Sequence, residues 1–126
     1  MIYQKCTEDS FYRLWIEFLA PFHKLTNKER DVAARILMQY FRLKESIDDI
    51  EVLKDVLWSR KSKKDMMDSL KMSQAYFQMT VAKLKSAGFL LNDEINPRYI
   101  PHKGDSPCFV MQVYYDWSSP DNPIKR

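Results

Sequence analysis

Between residues 70 and 90 the apolar side chains recur at intervals that leave few ways for the chain to fold. Leu70 is followed by Lys71-Met72-Ser73, and apolar residues then stand four, eight and eleven positions after Ser73, at Phe77, Val81 and Leu84. Steps of four, four and three keep one face of an α-helix turned toward a core. Ser73 is a residue type that starts such a helix, because its hydroxyl accepts from N–H groups that have no partner within the first turn. Gly88 stands where the helix needs a left-handed residue to end. Ahead of the turn, Met66 and Leu70 support a short helix, and beyond Gly88 the run Phe89-Leu90-Leu91 reads as a strand. The segment predicts helix, three-residue turn, helix and strand. Asn92-Asp93-Glu94 then turns the chain, and Ile95 begins a return interrupted by Pro97 and Pro101.

Upstream, Thr26 and Glu29 form a capping box, in which hydroxyl and carboxylate each satisfy the other residue's backbone N–H. Val32, Ala33, Ile36, Leu37, Tyr40 and Phe41 mark one face of the helix that follows. An earlier helix is announced by Thr7, Asp9 and Ser10. It shows Phe11, Leu14, Trp15, Phe18 and Leu19 at helical spacing, Arg13 and Glu17 opposite, and Pro21 as its stop. A third, short helix is expected in the acidic stretch 45–55, capped near Asp48 or Asp49, with Ile47, Ile50, Leu53, Val56 and Leu57 as its apolar residues. A last strand is expected at 108–117, with Phe109, Met111, Val113, Tyr115 and Trp117 on one face. The expected core is Trp15, Phe18, Val32, Ile36, Leu37, Leu53, Leu70, Phe77, Val81 and Leu84.

Composition narrows the function. The chain has 126 residues, 45% of them hydrophobic, which suits one domain able to bury a core without disulfides or a metal. Two glycines are too few for a Gly-rich phosphate loop or an all-β fold of tight turns. Cys6 and Cys108 have no Cys or His at metal-ligand spacing and read as reduced thiols, with a single disulfide left open. The start Met1-Ile2-Tyr3-Gln4-Lys5 lacks a signal peptide's apolar stretch, and no apolar run is long enough for a membrane, so folding in a cytoplasm is expected. His23 and His102 stand alone, and no Ser-His-Asp or Cys-His grouping emerges. Asp48, Asp49 and Glu51 read as capping and dipole partners rather than metal ligands. The expectation is a non-enzymatic chain with no cofactor, metal or small-molecule substrate.

Leu70, Met72, Ser73, Phe77, Val81, Leu84, Gly88 and Leu90 together resemble the helix-turn-helix pattern in its winged form. With the wing the resemblance spans about half the chain, and with the capped helix at Thr26 it spans most of it. It implies a mainly α fold with a small β wing. Residues 1–24 would be an arm and amphipathic helix, 25–117 the winged helix-turn-helix domain, and 118–126 a polar tail. The chain also looks like the small winged-helix proteins of tailed phages, through Leu25-Thr26, Glu29, Met72-Ser73 and Ile95-Asn96-Pro97. Such proteins are regulators or particle components, including connector rings between head and tail.

Two functions follow from the resemblance. In a DNA-binding member the second motif helix enters the major groove, which here would present Gln74, Ala75, Tyr76, Gln78, Met79 and Thr80, with Lys83 and Lys85 further on. Arg60, Lys61, Lys63 and Lys64 would meet phosphates, and residues 59–88 hold seven basic and two acidic residues. The first two turns of that helix contain no Arg or Lys, although Arg to guanine is the commonest specific contact. Tyr76 and Met79 are interface residue types. The favoured expectation is therefore a structural docking subunit of a larger assembly, a connector or ring-type component of a tailed-phage particle. Its partners would be copies of itself and other subunits, and its location the producing cell's cytoplasm and then the virion. The tail 118–126, with one Ile and two Pro among polar residues, would be ordered only by neighbouring subunits. The alternative is a transcriptional regulator bound to duplex DNA.

Overall fold

The structure is a computed structural model and describes residues 7–102. The strand expected at 108–117, the tail 118–126 and both cysteines lie outside the described residues. The described chain is mainly helical with one small antiparallel sheet. Helices α1 (Glu8–Phe18), the short α2 (Ala20–His23), α3 (Asn27–Lys44), α4 (Ile50–Leu57), α5 (Arg60–Leu70) and α6 (Gln74–Ser86) are followed by β1 (Leu90–Leu91) and β2 (Glu94–Ile95). A 3₁₀ turn, Pro97–Tyr99, closes the run.

The helix starts form where capping chemistry sits. Thr26 Oγ1 accepts from the Glu29 N–H while Glu29 Oε1 accepts from the Thr26 N–H, at 3.4 and 3.1 Å. Asp49, rather than Asp48, caps α4, its Oδ1 accepting from the N–H groups of Glu51 and Val52. Ser59 and Ser73 cap α5 and α6. Lys71 is left-handed at the end of α5, and the N–H of Met72 reaches back to the Met67 carbonyl. That turn lets α6 leave in a new direction after three residues.

Helix α3 is the centre. Val32, Ala33, Ile36 and Leu37 are buried on it, and α1, α4, α5 and α6 all pack against it. Most of the expected core is buried or packed on the core, with Phe77 and Leu84 from α6 joined by Met66, Phe89, Leu90 and Tyr99. Trp15, Leu70 and Val81 are half-buried at its margin.

Phe18 departs from expectation: it is 53% exposed, and the buried residues of α1 are Tyr12 and Ile16. The helix is turned toward Tyr12 and Ile16 relative to the stripe read from the sequence, while Phe11, Trp15 and Leu19 of that stripe stay packed against the core. Arg13 explains the rotation. It pairs with Asp31 of α3 at 2.8 Å and with Glu17, which also holds Arg30 of α3 at 2.9 Å, so the polar residues expected to face solvent lie along the α1–α3 seam. Tyr12 then stacks on Phe41, ring centroids 5.6 Å apart. Pro21 also departs from its expected role. It lies in the first turn of α2, where a missing N–H costs nothing, so the chain turns a corner and stays helical.

After α6, Gly88 adopts φ +84° and the Phe89 N–H donates to the Leu84 carbonyl at 3.0 Å. β1 and β2 pair Leu90 with Ile95 and Leu91 with Glu94 across a two-residue turn, in which Asn92 takes a positive φ. A Cβ added at Gly88 meets nothing within 4 Å. Gly88→Ala therefore tests backbone conformation alone. Its expected cost is about 1 kcal/mol, read as a lower urea midpoint with an unchanged slope.

Candidate docking face on α6 and its basic flank

Phe77, Thr80 and Leu84 fasten α6 to the core. The Thr80 hydroxyl is spent inside the helix, donating to the Tyr76 carbonyl at 2.8 Å. Thr80 is thus not available on the outer face, contrary to the sequence expectation. The outer surface consists of Gln74, Ala75, Tyr76, Gln78, Met79, Ala82, Lys83, Lys85 and Ser86, all exposed. Tyr76 is 40% exposed and Met79 49%, large apolar area on a helix held rigidly from behind.

The hairpin beside α6 is equally well fixed. Trp58, at the end of α4, donates its indole N–H to the Asp93 carbonyl in the turn, at 2.6 Å. The Asn96 amide donates to the Gly88 carbonyl at 2.9 Å, and the Asn96 N–H to the Phe89 carbonyl at the same distance. Lys85 lies 3.7 Å from the Asp93 carboxylate, and Lys54 bridges Glu51 and Glu94. Between Trp58, the Val81 edge of α6 and the turn runs a shallow groove, with Lys63, Gln78, Lys85 and Asp93 on its walls. Trp58 and Asp93 were not singled out by sequence reasoning. A tryptophan directly before the Ser59 cap was the one local sign that this corner would be occupied.

The basic cluster divides. Lys61 pairs with Asp65 at 3.3 Å, one turn along α5. Arg60, Lys63 and Lys64 form no ion pair among the described residues. Arg60 and Lys64 are exposed, whereas Lys63 is half-buried in the groove wall. Lys83 stands free of ion pairs among the described residues beside Tyr76 and Met79, while Lys85 is engaged by Asp93. The sequence-predicted residues therefore separate into the exposed Tyr76 and Met79, with Gln74 and Gln78, in the first two turns of α6, and cations toward the α5 start and the far end of α6.

Among the described residues no group of three or more His, Cys, Asp or Glu is placed to hold a metal ion. No described helix is long and apolar enough to cross a membrane. No family model, curated protein or solved structure matches the chain.

Proposed function

We propose that this chain is a non-enzymatic docking subunit of a larger assembly, built on a winged helix-turn-helix. In this reading α5, the Lys71–Ser73 turn and α6 are the helix-turn-helix, and the β1–β2 hairpin is the wing. Its sequence resemblance points to a connector or ring-type component of a tailed-phage particle. One observation carries the docking role. The outward side of α6 presents Tyr76 and Met79 half-exposed, with no Arg or Lys in its first two turns. Tyr76 and Met79 desolvate at low cost against another protein, and the absent cations leave the first two turns without a phosphate contact or the commonest guanine contact, although Gln74 and Gln78 remain exposed there. The tethers through Trp58, Asn96 and Lys85 support the reading, because a pre-organised surface loses little freedom on docking.

The second reading, a DNA-binding regulator, is favoured by Arg60, Lys63 and Lys64 at the start of α5, which form no ion pair among the described residues. One experiment separates the two. Sedimentation of the full chain at increasing concentration is expected to show a closed oligomer of higher order than a dimer. Titration with duplex DNA at low ionic strength is expected to show weak binding only. A stable monomer or dimer that binds duplex, with affinity falling steeply as salt rises, would reverse the choice.

A further inference from the structure

We propose that His23 is an acid-released latch, closing the α1–α2 corner onto α3 when neutral and freeing it when protonated. His23 is 3% exposed, and both ring nitrogens are engaged. The Leu25 N–H lies 2.9 Å from Nδ1. A backbone N–H only donates, so Nδ1 must be the unprotonated nitrogen and the ring proton resides on Nε2. Nε2 accordingly donates to the Ile16 carbonyl at 2.7 Å. The neutral ring is a clasp between the last turn of α1 and the chain entering α3.

A second proton has one place to go, Nδ1, where it would oppose the Leu25 N–H. That bond is lost on protonation, and Leu25 is the residue it holds. Leu25 is buried, and its carbonyl accepts from Arg30 Nε of α3 at 2.8 Å, so the corner is threaded from α1 through His23 and Leu25 to α3. Lys24 between them sits at φ +55°, a conformation the flanking contacts must hold.

The surroundings disfavour the cation. Burial is the largest influence lowering the affinity of His23 for a proton. Arg30 of α3 and Arg13 of α1 add repulsion, while Glu17 of α1 attracts, although it is already bound to both arginines. From the 3₁₀ turn, Tyr99 meets the imidazole through its ring, centroids 6.2 Å apart. Tyr99 also packs on Phe89, and its carbonyl accepts from Trp15 Nε1 at 2.7 Å. Release of His23 therefore loosens the seat of the segment that follows the hairpin.

The sign follows from the depressed proton affinity. Above the ordinary histidine value of 6.5, closed and open forms are both neutral and the latch is fully closed. As pH falls below 6.5 the open form takes up a proton that the closed form refuses. Opening then grows, by at most about tenfold per pH unit for one proton, until the lowered value of the closed state is passed.

The test is amide exchange and imidazole nitrogen NMR on the full chain between pH 7.5 and 5. Leu25 amide protection, corrected for intrinsic exchange, is expected to fall as pH drops below 6.5 and to level off once the lowered value of the closed state is passed. The ring is expected to show protonated Nε2 and bare Nδ1 at neutral pH. In His23→Gln the fall is expected to vanish, whereas His102→Gln, at an exposed position, retains it. A ring that is protonated on Nδ1 at neutral pH, or titrates at its ordinary value, overturns the latch. So does Leu25 protection that is flat with pH. Because these readings are made on the unmodified protein, they decide the matter even if His23→Gln fails to fold.

Discussion

Phe77→Ala is expected to lower the stability of the folded chain by about 3–5 kcal/mol, as truncation of a fully buried aromatic does. Phe77 is 2% exposed and joins the core from the start of α6, in the same cluster as Leu84, Met66 and Leu90. Its removal would leave a cavity in the core, and the cost grows with the volume that the surroundings fail to fill. Against a total stability of about 5–15 kcal/mol for a domain of this kind, the loss moves the urea midpoint severely. Gln78→Ala, one residue on and exposed, is expected to stay within about 0.5 kcal/mol of the unmodified protein. A Phe77→Ala cost below about 1 kcal/mol would show that α6 is not anchored by this residue. The helix-turn-helix alignment would then fail with it.

The contrast between Phe77 and Phe18 shows what kind of information the sequence held. Around Phe77 the local signals agree. Ser73 caps the helix, the apolar steps select one face, and Gly88 ends it, so each short-range preference points to the same geometry. Thr26 and the Asn92-Asp93 turn were legible for the same reason, and the α4 cap to within one residue, since caps and turns depend on a few neighbouring residues. Helix α1 offers no such agreement. Phe11, Leu14, Trp15, Phe18 and Leu19 make one apolar stripe, and Tyr12 with Ile16 makes a second beside it. Periodicity alone gives preference to the more populous stripe. The protein buries Tyr12 and Ile16 most deeply, keeps Phe11, Trp15 and Leu19 half-buried against the core and exposes Phe18, because Arg13 and Glu17 find Asp31 and Arg30 on α3, partners that only the folded chain brings near.

The docking region divides in the same manner. Tyr76, Gln78 and Met79 were readable as outward-facing once the buried steps of α6 were known, since exposure is the complement of a correctly phased core. The groove beside them was not readable. It depends on Trp58 reaching Asp93, 35 residues away, and on Lys85 meeting the same turn. The seat of the 3₁₀ turn likewise depends on Trp15 and Tyr99, 84 residues apart. Neither hydrogen bond has a counterpart in spacing or composition, because an indole N–H satisfies itself on whichever carbonyl the tertiary fold supplies. Thr80 carries a related lesson. Its hydroxyl suits an outer face by polarity, yet in a helix the carbonyl four residues back is always within reach.

The Tyr76→Ala, Met79→Ala double substitution is expected to weaken assembly by about a hundredfold while leaving the isolated subunit's stability within about 0.5 kcal/mol. The two side chains stand three residues apart on one side of α6 and would enter one desolvated region of a partner surface, so their effects are expected to exceed neither a simple product nor about 3 kcal/mol. Lys83 lies beside them without an ion pair among the described residues, and its replacement is expected to act through encounter rate and salt dependence. The comparison variant replaces Lys61, Lys63 and Lys64 with alanine. It removes charge from the α5 flank and leaves Tyr76 and Met79 in place, so the docking reading expects assembly to persist in it. Sedimentation across a concentration series measures both variants. An intact assembly in the first variant, with assembly lost in the second, would transfer the interface from the apolar face of α6 to the basic start of α5. Phosphate or acidic partners would then explain the surface better than apolar docking, because only the charged flank would be needed to hold the subunits together.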